Sequence, residues 1–520
     1  MKRTIAALAL SAAMLLSLSA CGETKTPSSS AADSSSQAES TLVLSDDQIT
    51  LNGTAIAAGQ DGAVTVGNDI IYYQTGMGED YGEGTEADEH TAQEAQAHTV
   101  VTIRQPGTYR ISGTLTAGQL AIDLGEGAKT DPEAVVTLIL DGVDLTCTVA
   151  PAVIFYNVYE CDTDWVSYEQ GKNEDYQALS TVDTSQAGAR VVLADGSVNN
   201  VTGSYVARIY QEGTTEKLHK YDGAFYSKMS LNVTGETEGT GVLNITAENE
   251  GLDSELHLTI NGGTINIQAQ NDGINTNEDG VSVTTVNGGT LQINAGLGDE
   301  GDGIDSNGFL VINGGNVYTK ANEHSADGGI DADKEIYLNG GFVVALGVRN
   351  DTASPDSLQQ YMELSFASPL PAGSLIELTD ADGKALLSFT TEKSCQCLTF
   401  SSPDLTKGTA YTLSVDGVTQ QYTGNTAGGF NGGRGGPAGQ PPEDASDPQE
   451  GWEDRQPPQR PEDNGEPPQD GGERPDQRPG EADGQPPQPE DQGTGTGSTQ
   501  FTLSDQIHSF SGISDSTQEQ

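Results

Sequence analysis

The chain has 520 residues, a formal net charge of −54 and only 34% hydrophobic residues, so it is long enough for about two or three domains, yet part of it lacks the side chains for a core. So acidic a surface repels phosphate backbones and anionic membranes, which excludes nucleic acid as a partner and makes metal cations the natural counter-ions. Cysteine and histidine are both sparse for the length, and no zinc-binding spacing occurs.

At the N-terminus, Lys2 and Arg3 precede the apolar run Ile5 to Leu18, and Leu18-Ser19-Ala20-Cys21 brings small residues up to a cysteine. This resembles a bacterial lipobox. Residues 1–20 are expected to be a lipoprotein signal peptide, Cys21 the lipidated residue, and 21–42 a flexible Ser/Ala-rich linker. The exported protein would then be held on the outer face of the cell membrane, at the cell surface, without a transmembrane segment. Exported thiols can pair, Cys147 with Cys161 before Cys395 with Cys397, because a C-x-C pair is awkward to close on itself.

Residues 43–356 read as one long β domain. Its first coils are expected in Tyr109 to Asp123 and Val135 to Leu145, followed by a polar inserted loop over Asn157 to Thr181. Short strands follow at Ala189 to Leu193, Ser230 to Thr234 and Val242 to Thr246. The clearest coils lie in 231–350, where Asn-Gly-Gly triplets begin at Asn261, Asn287, Asn313 and Asn339, each 26 residues after the last. Every triplet sits between two β-prone runs, as in Leu258 to Ile260 and Thr264 to Ile267. A fixed period of this length with β content predicts a solenoid, because a single coil cannot bury its own apolar face. The expected fold is all-β: a right-handed, single-stranded parallel β-helix. In it the Asn-Gly-Gly turns form an Asn ladder, and Phe309, Tyr318, Tyr337 and Phe342 stack inside the coils.

Beyond it, 357–424 reads as a small antiparallel β module. Its strands are expected near Met362 to Phe366, Leu375 to Leu378, Leu386 to Phe389, Leu398 to Phe400 and Tyr411 to Val415, and Asp380-Ala381-Asp382-Gly383 is expected to be a hairpin turn. Residues 425–499 hold 14 of the 22 prolines and almost no apolar side chains, a composition that cannot offset its ordering entropy and is expected to stay disordered. Residues 500–520 read as a C-terminal tail.

The chemistry lies in a recurring Gly-aliphatic-acid frame: Glu250-Gly251-Leu252-Asp253, Asp272-Gly273-Ile274-Asn275, Asp302-Gly303-Ile304-Asp305 and Asp327-Gly328-Gly329-Ile330-Asp331, with Asp333 just beyond. With the aliphatic residue inward and the acids outward, a β-helix would stack these carboxylates about 4.8 Å apart. Two bare carboxylates at roughly 5 Å repel by about 3 kcal/mol at an effective dielectric near 20. From Leu231 to Asn350 there are 18 acids against Lys320, Lys334 and Arg349, so side-chain cations cannot neutralise the stack. Calcium can, because its ligand distances of about 2.3 to 2.6 Å suit carboxylates so spaced. Glu250, Asp253, Asp272, Asn275, Asp302, Asp305, Asp327, Asp331 and Asp333 are the expected ligands, with Asn275 weakening its own position. Solvated turns chosen for positive φ are the simpler alternative.

Taken together, Asp222-Gly223-Ala224-Phe225-Tyr226-Ser227-Lys228, the strand Leu231 to Gly235, Gly251-Leu252-Asp253-Ser254 and the two repeat series resemble the bacterial carbohydrate-binding domain-containing lipoproteins, over about Val43 to Gly424. That resemblance implies a pectate-lyase-like shape, bound calcium and non-catalytic binding of plant-type cell-wall polysaccharide, acidic or cellulose-like. Tyr221, Tyr226 and Lys320 are candidate carbohydrate contacts, with Tyr205, Tyr210, Trp165 and Trp452 as further aromatic platforms. A calcium-dependent polyuronate lyase is the alternative. It needs a base beside the metal, for which Lys320 stands nearest, assisted by His324. A surface adhesin or scaffold is the third reading; in each case the chain is expected to be a monomer.

Overall fold

The computed structural model describes residues 38–74, 87–173, 175–210, 217–426, 497–504 and 507–517. The expected signal peptide, Cys21, the expected linker up to residue 37, Trp452 and nearly all of the Pro-rich segment lie outside the described residues. The fold is all-β, with α-helix among the described residues only at Ala92–Gln96 and Thr163–Glu169.

Strands are organised as parallel ladders to which each coil adds one strand. One ladder runs from Ser40–Leu44 through Gly107–Leu115, Val136–Thr146, Ala189–Leu193 and Leu231–Gly235 to His257–Ile260, Val283–Val286, Phe309–Ile312 and Ile336–Leu338. A second joins Val198–Gly203, Val242–Ala247, Thr264–Ala269, Thr290–Asn294, Asn316–Lys320 and Phe342–Gly347. The third takes Thr99–Ile103, Gly118–Asp123, Val153–Asn157, Gly223–Ser227, Glu250–Ser254 and Ile274–Thr276, then continues as single bridges at Ile304 and Ile330. Partners such as Val283 and Phe309, or Thr290 and Asn316, are one 26-residue period apart. The sequence period is thus the pairing register.

Register dictates packing, since equivalent residues lie on one another. Ile265, Leu291, Val317 and Val343 form one fully buried column, with Ile267 and Ile293 beside it. The triplet turns stack in the same way: Asn287 donates to Asn261 at 2.9 Å, Asn313 to Asn287 at 2.9 Å and Asn339 to Asn313 at 3.0 Å. This is the expected Asn ladder. The second glycine of the triplet is obligatory: Gly289 has φ +86°, and a Cβ there would lie 2.6 Å from the Gly263 carbonyl oxygen.

Tyr318 and Phe342 are not inside the coils. Val317 and Thr319 point inward, so pleat alternation sends Tyr318 outward. There it meets Phe342 and Phe389, and Phe342 meets Phe400, forming the seam with the C-terminal module. Phe309 and Tyr337 are likewise only half-buried, and the Tyr337 hydroxyl donates to Glu335.

That module caps the stack. Phe342–Gly347 would be an open sheet edge, but it pairs antiparallel with Cys395–Ser401, which in turn pairs with Tyr361–Leu370. Residues 497–517 do not trail away as a tail: Ser509–Asp515 pairs parallel with Tyr361–Leu370 and antiparallel with Gly424–Thr426, and Phe501 and Phe510 are buried in the module's core. The loop between Ala385–Thr390 and Cys395–Ser401 locks module to coils. Lys393 Nζ donates to the carbonyls of Ala321 at 3.1 Å, Gly296 at 3.4 Å and Ala295, and the Ser394 amide donates to Glu323 at 2.9 Å. Cys147, Cys161, Cys395 and Cys397 are all free, so the expected Cys147–Cys161 pair does not form; burial pushes the Cys147 thiol up to about 11.

Replacing Ile293 by Ala should cost about 2 to 5 kcal/mol by urea denaturation, since it removes a fully buried side chain that its stacked neighbours cannot replace. The adjacent, exposed Gln292→Ala should stay within about 0.5 kcal/mol of the parent. Equal effects at the two positions would contradict the pleat assignment.

Candidate functional site

The acidic frames lie on the third ladder, where Leu252, Ile274, Ile304 and Ile330 stack fully buried and fix the register of their neighbours. The glycine before each aliphatic residue lets the backbone press against the second ladder. A Cβ at Gly251 would lie 2.4 Å from Ile267 Cγ2, and one at Gly273 2.1 Å from Ile293 Cγ2. This close approach draws the flanking acids down with the chain.

The carboxylates are therefore not the outward, solvated groups expected from the pattern. Glu250, Asp253 and Asp272 are 4%, 0% and 8% exposed, and Asn275 is buried with them. Two coverings account for this. The chain after Asn294 folds back, with the Gly296 and Gly298 amides donating to the Asn271 and Gln270 carbonyls, and the ribbon formed by Val206–Tyr210 and Lys217–Tyr221 runs beside the upper frame. Successive rungs are tied by main-chain donors: the Asp302 amide donates to Asp272 Oδ1, and the Gly328 amide to Asp302 Oδ1, each at 2.6 Å.

Burial and mutual repulsion push these acids up together. Glu250 is raised to about 8, first by burial and then by Asp222 and Asp305. Asp302 is raised to about 8 by burial, Asp331, Asp305 and Asp327. Asp253 and Asp272 are raised well above the usual carboxylate range, by burial first and next by Glu250. Asp305, Asp327 and Asp331, only half-buried, thus belong to the same field. Asp333 is exposed.

Hydrogen bonding leaves a specific deficit. Asn275 Nδ2 donates to Glu250 Oε1 at 3.1 Å, and Asn277 Nδ2 to Asp253 Oδ1 at 2.9 Å. The remaining oxygen of each of these groups, Glu250 Oε2, Asp253 Oδ2, Asn275 Oδ1 and Asn277 Oδ1, is buried without a hydrogen-bond donor. An orphaned buried polar atom costs about 1 to 3 kcal/mol, and once Glu250 and Asp253 are ionised all of these are acceptors, so what they then lack is a donor or a cation. Among the described residues, no three His, Cys, Asp or Glu side chains converge into a ready metal cluster. A hard cation here would have to combine carboxylates with the Asn275 and Asn277 amide oxygens, a donor set that suits calcium and not zinc.

Beside Glu250 lies a cavity of about 270 Å³ lined by Asp88, Tyr205, Lys220, Asp222, Asn249 and Asn271, among others. Lys220 Nζ sits 2.9 Å from Asp222. Burial alone would lower its pKa, but Asp222, Glu250 and Asp253 outweigh that and hold it protonated. Sequence reasoning misses Lys220, Asn277 and Asp88. Asp222-Gly223-Ala224-Phe225 does repeat the acid-Gly frame one coil earlier, and this is the signal that extends the site.

Other expected residues go elsewhere. Lys320 is buried and paired with Glu392 of the capping module, and His324 is exposed beside Glu323. Tyr221 and Tyr226 are buried, their rings 5.2 Å apart and inclined at 56°, with the Tyr226 hydroxyl donating to Glu255. Both faces of Gly223–Ser227 are covered, so these rings present no platform. The side chain of Tyr210 lies outside the described residues.

Comparison with known proteins adds the following. No curated protein matches the chain. Among solved structures, a gadolinium derivative of the polysaccharide lyase-like protein from C. thermocellum is similar at 19% identity, over 59% of this chain and 94% of that one, with a TM-score of 0.32. The family model described as carbohydrate-binding domain-containing protein matches residues 97–188 and 172–383, which takes in all the ladders from Thr99 onward, the insertion and the acidic frames. With more than half of its 520 residues so matched, this chain belongs to the carbohydrate-binding domain-containing protein family.

Proposed function

We propose that the protein is an exported, lipid-anchored surface lipoprotein whose ladders close as a right-handed parallel β-helix, and that it binds acidic cell-wall polysaccharide through calcium held in the carboxylate column. The observation that carries this reading is the set of buried oxygens on Glu250, Asp253, Asn275 and Asn277 that lack donors. Bound calcium would supply positive charge to a face that otherwise repels uronate carboxylates. This chain's own part is to hold the carboxylates in register, keep water from them and orient the Asn275 and Asn277 amides.

Binding is favoured over lyase chemistry by the state of the lysines. A lyase needs an unprotonated base near the metal. Lys320 is sequestered against Glu392, and the acids around Lys220 keep its proton on. Incubation of polygalacturonate with protein and calcium should therefore give no growth of unsaturated-product absorbance; sustained turnover lost in Lys220→Ala or Lys320→Ala would establish the lyase.

The pH dependence follows from the raised acids. In the folded state Glu250 and Asp302 keep their protons up to about 8, against ordinary values of 4.5 and 3.8. The folded chain therefore binds more protons than the unfolded one across that interval, and stability falls as pH rises through it. In chelator, Tm should drop between pH 5 and pH 8. Calcium at about a hundredfold over its Kd should restore about 2.7 kcal/mol, chiefly at the upper end. A Tm indifferent to calcium and chelator at pH 8 removes the cation from the proposal.

Glu250→Gln separates the two roles of that side chain. It removes a repelling charge and a ligand, so chelated Glu250→Gln should melt above the chelated parent at pH 8, while its gain from calcium and its retention on polygalacturonate should both fall at least tenfold.

A further inference from the structure

The seam between the capping module and the coils brings a lysine, a side-chain amide and a carboxylate together. Lys393 reaches in from the loop between Ala385–Thr390 and Cys395–Ser401, and its Nζ donates to the carbonyls of Ala295, Gly296 and Ala321. The residue after Ala321 is Asn322, 3% exposed, whose Nδ2 donates to the Gly296 carbonyl at 3.1 Å and to that of Gly298 at 2.9 Å. The side-chain nitrogens of Lys393 and Asn322 thus share Gly296 as acceptor. This approach is open because the residue one 26-residue period before Asn322 is a glycine: a Cβ at Gly296 would lie 2.5 Å from Asn322 Cβ. Asn322 Oδ1, for its part, accepts the His324 amide at 2.7 Å and the Ser325 amide at 2.9 Å.

Each part has a chemical consequence. Two main-chain donors on one amide oxygen polarise the carbon it is bonded to, and their distances fall in the range of about 2.7 to 3.1 Å that stabilises an oxyanion there. Lys393 is the matching nucleophile. Burial, reinforced by the nearby Lys320, lowers it to about 8 against the pull of Glu323, so much of it is neutral in mildly alkaline water. Glu323 follows Asn322 in the chain, and its Oε2 accepts the Ser394 amide at 2.9 Å, which ties the carboxylate to the lysine's own loop. The other charged groups here are Glu392, which pairs with Lys320, and His324, 3.8 Å from Glu323.

We propose that Lys393 and Asn322 form an autocatalytic isopeptide bond that fastens the capping module covalently to the coils. The neutral Lys393 Nζ attacks Asn322 Cγ, and the carbonyl electron pair moves to Oδ1, under the His324 and Ser325 amides. Glu323 takes a proton from Nζ and delivers it to Nδ2. The Cγ–Nδ2 bond then breaks, the carbonyl re-forms and ammonia leaves, so a primary amine and a primary amide become one secondary amide with no oxidant or cofactor consumed. The bond depends on neither calcium nor glycan.

The test is intact-mass spectrometry and peptide mapping of the full chain. Chain purified in folded form should be lighter than its unlinked mass by one ammonia, and digestion should yield a branched peptide joining the segments that hold Lys393 and Asn322. Chain recovered unfolded from inclusion bodies and then refolded should lose that ammonia at least tenfold faster at about pH 9 than at about pH 6, because only the neutral amine attacks. Lys393→Arg keeps a cation for the three carbonyls, so it should fold and retain its full mass. Glu323→Gln should slow the loss at least tenfold. The proposal is overturned if the folded parent keeps its full mass with both peptides unbranched. It is equally overturned if Lys393→Arg loses ammonia as the parent does, which would assign the loss to a succinimide at an asparagine.

Discussion

In-register stacking is the constraint on which the rest of this protein depends. Because successive repeats add strands in register to each ladder, 26 residues apart in pairs such as Val283 with Phe309 and Thr290 with Asn316, side chains are laid on their equivalents about 4.8 Å away. Like on like is favourable for Ile265 over Leu291 and for Asn287 over Asn313, where one amide both gives and receives. For carboxylates the same rule is unfavourable. Glu250 and Asp272 are buried, and Asp302 half-buried, by the geometry that makes the neighbouring columns stable, and their raised protonation is the direct result. The glycines at 251, 273 and 303 sharpen the conflict, because they allow the backbone to sink until the acids lose their water.

Much of this architecture is legible in the sequence, for a simple reason. A pairing period equal to the repeat period prints itself on the chain, so Val283–Val286 and Ile336–Leu338 can be placed to the residue from Asn-Gly-Gly spacing alone. The acidic frames are visible for the same reason. Their burial is not, because the coverings come from irregular segments, the ribbon at 206–221 and the fold-back after Asn294, that carry no period. Tyr318 and Phe342 mislead because large aromatic side chains suggest a core, while pleat parity places them on the outer face that the module later covers. Lys220 is passed over because it precedes the regular coils, and Lys320 attracts attention because it lies within them. The return of 497–517 to the module has no local signal at all, since the partner strand Tyr361–Leu370 lies far back across the Pro-rich segment.

Charge balance differs along the body. On the frame side, acids outnumber cations and acceptor oxygens go without donors. At the C-terminal seam a tethered ammonium, Lys393, meets the carbonyls of Ala295, Gly296 and Ala321, and burial lowers it to about 8. Main-chain oxygens at the seam receive a cation from the protein itself, whereas the side-chain oxygens Glu250 Oε2, Asp253 Oδ2, Asn275 Oδ1 and Asn277 Oδ1 of the column have no hydrogen-bond partner. At the insertion Asp162 accepts the Tyr176 hydroxyl at 3.1 Å and faces the buried His257 Nε2 at 3.3 Å.

The antiparallel closure at Phe342–Gly347 also bears on how such a protein can change over evolutionary time. Because the capping module pairs with the last strand of the stack and its other contacts reach back only to about Ala295, a 26-residue unit duplicated or deleted further upstream would present it with the same edge. Each unit lengthens the body by about 4.8 Å and adds one acidic rung. Reach and valency would therefore rise together in fixed increments, and natural variation in length among related chains should come in whole coils.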